Sequence, residues 1–151
     1  MRVVITQHNQ RDYYEKIDNL KQFLFEKKLI NNAVSQLQMA VTNGHIEAIT
    51  TSNLVLFYHY TLHLTFDNYQ FPFEGLMQAI VSWMTNNQSD SMLNPESRKT
   101  SIKFDVQDIT ECHCKINIKL KLSERILTQN INEALQSQII KDKILDEDLL
   151  N

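Results

Sequence analysis

The stretch NLVLFYHYTLHLTF, residues 53–66, alternates with a period of two. Tyr58, Tyr60, Leu62, Leu64 and Phe66 fall on one side, and His59, Thr61, His63 and Thr65 on the other. That is the pattern of a strand buried on one face, since successive side chains of an extended chain point to opposite faces. Residues DNYQFP then turn the chain, and 73–86 (FEGLMQAIVSWMTN) switch to helical spacing through Leu76, Ile80 and Trp83, with Met77 and Met84 alongside. On the N-terminal side HIEAIT, residues 45–50, is too short to assign. Ahead of it the spacing predicts two helices. The first spans about 12–28 through Ile17, Leu20 and Leu24. The second starts from a cap at Asn31-Asn32, runs through Val34, Leu37 and Val41, and stops at Asn43-Gly44, where a left-handed residue is commonly found. Residues 1–11 show no pattern and are read as an arm.

Beyond the 73–86 helix, NQSDSMLNPESRKT is polar, contains Pro95, and reads as a loop. Ile102, Phe104 and Val106 alternate with Lys103, Asp105 and Gln107 in a second strand. A third follows in ECHCKINIKLKLSERI, residues 111–126. Counting by twos puts Cys112, Cys114, Ile116, Ile118, Leu120 and Leu122 on one face and His113, Lys115, Asn117, Lys119 and Lys121 on the other. Both cysteines therefore extend an apolar stripe, and buried cysteine acts as a small hydrophobe. Ile131, Leu135 and Ile139 predict a last helix that runs into an acidic tail, residues 145–151. The order α-α-β-β-α-β-β-α implies a single α+β domain over residues 1–151, with a mainly antiparallel sheet of about four strands flanked by helices.

Composition narrows the function. At 151 residues one core suffices without disulfides. A formal charge of −3 argues against a protein devoted to gripping nucleic acid through a broad basic surface. No apolar run reaches the roughly 18–20 residues of a membrane helix, and the start lacks a signal-peptide core, so a cytoplasmic origin with free thiols is expected. With only Gly44 and Gly75, there is no glycine-rich loop to cradle a phosphate and no glycine-flanked elbow for Ser123 as a nucleophile. No catalytic constellation emerges and no cofactor is expected.

Three features invite a binding role. His59, His63 and His113 would meet on one sheet face if their strands pair, and three imidazoles hold zinc; half-exposed sheet histidines without that role are much commoner. The row Lys115, Lys119, Lys121 with Arg125 suits a phosphate or an acidic partner, or equally a sheet guarded by lysine against stray pairing. The aromatic turn gathers Phe66, Tyr69, Phe71 and Phe73 around Pro72; whichever of Tyr69 and Phe71 stays exposed makes a contact patch.

The order of these segments resembles the tail completion protein R family of contractile-tailed temperate phages. The shared elements run from about Asn19 to Leu127. They are the turn Asn43-Gly44-His45-Ile46, a long aromatic-aliphatic strand ending Thr65-Phe66, a helix bearing Trp83 followed by Asn87-Gln88, and a strand ending Leu120-Lys121-Leu122-Ser123-Glu124-Arg125. The resemblance implies a structural virion protein that terminates the tail tube at its head-proximal end as a sixfold ring and supports head–tail joining. Implied partners are further copies of itself, the tail tube protein, sheath and head–tail connector proteins, with DNA passing through unspecifically and no membrane. Phe66, Tyr69, Phe71, Lys115, Lys119, Lys121 and Arg125 are the candidate contact residues. A connector subunit, a nucleic-acid-binding module and a small zinc enzyme are the alternatives. Residues 1–11 and the C-terminal segment lie outside the resemblance.

Overall fold

The computed structural model describes residues 15–30, 37–50, 54–131 and 134–140, the last two strands beyond Leu127 as backbone alone. The expected N-terminal arm, the acidic tail and the Asn31-Asn32 cap lie outside these residues. The elements are α1 (Glu15–Glu26), β1 (Leu37–Thr50), β2 (Leu54–Tyr69), α2 (Phe73–Asn87), α3 (Ser89–Leu93), β3 (Ile102–Gln107), β4 (Cys114–Ile131) and β5 (Ala134–Ile140). The class is α+β: an antiparallel sheet in the order β1-β2-β4-β3, with β5 also paired to β4.

Two elements differ from the spacing-based expectation. The second helix is instead β1, because Leu37, Met39 and Val41 alternate and stand opposite Phe66, Leu64 and Leu62. Asn43 does adopt the left-handed backbone of a helix stop (φ 53), but inside a strand. Asn43 and Gly44 together face the single residue Tyr60, so the pair forms a β-bulge. The final helix is β5, whose backbone extends β4 from Arg125↔Ile140 to Ile131↔Ala134. A spacing of four fits either structure over so few residues; a free backbone edge on β4 decides for strand. The 87–100 loop also contains the short α3.

The even-numbered residues of β2 and β4 build the core. Leu62, Leu64, Phe66, Ile116, Ile118 and Leu120 are buried against Leu20 and Leu24 of α1 and Leu76, Ile80, Trp83 and Met84 of α2. Each such side chain taken from water stabilises the fold by about 1.5–3 kcal/mol. α1 ends in a Schellman turn: Lys28 is left-handed (φ 60), Leu29 N donates to Leu24 O and Lys28 N to Phe25 O, both at 3.0 Å. No helix of the described residues is long and apolar enough to cross a membrane.

Candidate functional site

Counting by twos along β4 carries Glu124 onto the core face, after Leu122 and before Ile126. There it is buried, 3% exposed. A carboxylate in such a place needs donors. Its Oε1 accepts the Lys16 amide at 3.0 Å, capping the first turn of α1 from a distant strand, and its Oε2 accepts the Tyr60 hydroxyl at 2.9 Å. Burial pushes its pKa from 4.5 to about 7, against the lowering effect of those two hydrogen bonds and the Lys16 charge.

Beside it, buried Gln88 uses its whole amide. Oε1 accepts Lys16 Nζ (2.9 Å) and Ser123 N (3.0 Å), while Nε2 donates to Asp90 Oδ1 (3.0 Å) and Ser123 Oγ (2.9 Å). Lys16 Nζ also donates to Ser123 O. One step along, Trp83 Nε1 donates to Asn19 Oδ1 at 2.7 Å and Asn87 Nδ2 to Trp83 O at 2.9 Å. Trp83, Asn87, Gln88, Ser123 and Glu124 thus meet in one polar knot that ties α1 and the end of α2 to β4. The geometry gives them positioning work: a satisfied, enclosed network fixes how helices sit on a sheet.

The opposite face of the sheet carries the lysines. Across it run the rows Ala40–His63–Lys119–Lys103 and Gln38–Thr65–Asn117–Asp105. Lys119 therefore has a like charge, Lys103, directly opposite. Lys121 Nζ donates to Thr100 Oγ1 at 3.3 Å, and Lys115 pairs with Asp67 at 3.8 Å. His63 shares a 2.6 Å hydrogen bond with Thr42 Oγ1. Towards the β1–β2 turn, the Arg125 guanidinium lies 4.9 Å from the Phe57 ring centre, His59 stacks on His45 at 4.7 Å, and Glu47 approaches His59 at 3.5 Å. Arg125 Nε is buried without a hydrogen-bond partner among the described residues.

The sequence-predicted residues separate accordingly. Phe66 is in the core and Tyr69 is buried beside it, its hydroxyl unpaired among the described residues and its pKa pushed up to about 12 by burial and the neighbouring Cys114. Phe71, its ring tilted against Tyr69 with centroids 5.7 Å apart, is what the aromatic turn leaves exposed. Cys112 does not continue the stripe. It is exposed in the turn before β4, where Thr110 Oγ1 accepts the Cys112 and His113 amides; only Cys114 packs against the core. His59 and His63 share the open face while His113 lies in that turn. Among the described residues no group of three or more His, Cys, Asp or Glu side chains could hold a metal. From the sequence alone Tyr60 falls on a strand face and Gln88 in a shared segment, but neither of them, nor Lys16, is given a bonding role, because nothing local marks the strand that they meet.

The model of the family described as P2 phage tail completion protein R (GpR) matches residues 14–142. The chain is also similar to the tail completion protein R of Escherichia phage P2, 26% identical over 128 residues, covering 84% of this chain and 83% of that protein. No solved structure matches at comparable significance.

Proposed function

Because the chain belongs to the P2 phage tail completion protein R family, and is thereby a structural component of a phage tail, we propose that it terminates the tail tube at the head-proximal end. In this reading identical subunits, six in number by the resemblance, close a head-to-tail ring that stops tube growth and prepares the end for joining to a head. The protein acts through surfaces rather than catalysis. It meets the tail tube protein on one side and sheath and head–tail connector proteins on the others, in virions assembled in the host cytoplasm.

The observation that carries the reading is the family match over residues 14–142, which takes in every element from α1 to β5. The open sheet face supports it. His63, Lys103, Lys119 and Lys121 make a basic surface without a base-reading motif, suited to unspecific contact with passing DNA. Candidate contacts that remain accessible are Phe71, Lys119 and Lys121, with Lys115 and Arg125 partly so.

The test is length and end structure of tail tubes by negative-stain electron microscopy. Tubes assembled without the protein should acquire a cap at one end and stop lengthening when it is added. Continued growth from bare ends rejects the terminator role and brings forward the connector subunit.

A further inference from the structure

Among the described residues β1 hydrogen-bonds to β2 alone, and β3 and β5 to β4 alone. Within the described residues the sheet therefore ends in two unpaired edges, each a template for another strand. Following the register across the sheet shows that these edges match. Leu37, Met39 and Val41 lie on the same rows as Val106, Phe104 and Ile102, and Glu47 to Thr50 on the same rows as Ile140 to Ser137 of β5. Between β3 and β5 the far edge is interrupted opposite Lys121 to Glu124. Those residues are level with Thr42 to Ile46, so the gap in one edge lies at the height of the Asn43-Gly44 bulge in the other.

We propose that the ring closes edge to edge, β1 of one copy adding to the β3/β5 edge of the next. This rests on the ring reading above and names the surface that makes it.

Three properties support it. Neighbouring strands alternate in direction, and the order β1-β2-β4-β3 contains an even number, so β1 and β3 run opposite ways. A copy added by simple rotation then meets its neighbour antiparallel, with helices on the same side of the joined sheet. On that side both edges expose apolar side chains: Val41 (39%) and Ile46 (59%) on β1, Phe104 (54%) on β3. Joining would cover them and continue the core of one copy into the next. Charge also fits. Glu47 is the sole Asp, Glu, Lys or Arg of β1 and lies one row beyond the residues level with the gap, whereas the exposed cation Lys121 stands at the gap in the far edge, its Nζ on Thr100 Oγ1. Such an interface is heterologous, which is what a ring requires.

The experiment breaks one edge at a time in the full chain. One variant carries Val41→Lys with Ile46→Lys, the other Phe104→Lys, and both are compared with wild type by sedimentation velocity and by capping of tail tubes. Expected is wild-type assembly, at least about tenfold weaker self-association for either variant, and, on mixing the two, dimers that grow no further, because one intact edge of each kind remains. Dimers on mixing also show that both variants are folded. If the β1 variant alone is impaired, a two-fold β1–β1 contact replaces the proposal. Wild-type assembly by both variants, or folded variants that stay monomeric on mixing, overturns the edge assignment and leaves the ring standing. A wild type that neither associates nor caps tubes removes the ring itself.

Discussion

The Tyr60 hydroxyl donates to Glu124 Oε2 at 2.9 Å across the β2–β4 pairing, inside the layer that α1 closes. The carboxylate that caps α1 is held by its own sheet on one side and by the helix on the other. Tyr60→Phe removes one of its donors while leaving the ring in place. A loss of about 1.5–3 kcal/mol is expected, the range for a hydrogen bond to a charged group. Urea melts should show the deficit larger at pH 8, where Glu124 is ionised, than at pH 5.

Wild-type stability should itself fall with rising pH. Below 4.5, the ordinary value, Glu124 is protonated whether the chain is folded or not. Between there and about 7 the folded state keeps a proton that the unfolded chain has released, so each step up in pH favours unfolding. The full penalty, at most about 3 kcal/mol, applies above 7. Glu124→Gln should flatten this window in denaturant melts taken across it; an unchanged slope would place the titration elsewhere.

Asn19→Ala leaves Trp83 Nε1 without its acceptor. About 1 kcal/mol should be lost, and because Trp83 is the sole tryptophan, its fluorescence reports the melt directly.

At the bulge, side chain and backbone make opposite demands. Asn43→Val places a β-branched residue at φ 53 and should cost about 1–2 kcal/mol, whereas Asn43→Gly should be nearly neutral. Thermal melts of the pair separate backbone conformation from any contact of the amide.

β2, α2, β3 and the apolar stripe of β4 were legible because each has a single period over enough residues. β1 was not. The bulge moves the core face from Leu37, Met39 and Val41 to Ile46 and Ala48, breaking the alternation where it would have been recognised. β5 is defined by hydrogen bonds to a partner strand, which leave no trace in its own spacing. Of the knot, Trp83, Asn87-Gln88 and Ser123-Glu124 were visible as a recurring wording without a reason. The reason is spatial: Gln88 and Ser123 are 35 positions apart and bond twice through the same amide.

The Lys16–Glu124 cap spans 108 positions. A ribosome adding about 5–20 residues per second therefore makes α1 roughly 5–20 s before the strand that caps it. The β1–β2 hairpin, with Leu62, Leu64 and Phe66, is made in time to receive Leu20 and Leu24, but Ile116, Ile118 and Leu120, and the acceptor for the first turn of α1, arrive only with β4. Release before residue 124 would leave α1 on half of its sheet with its first turn uncapped.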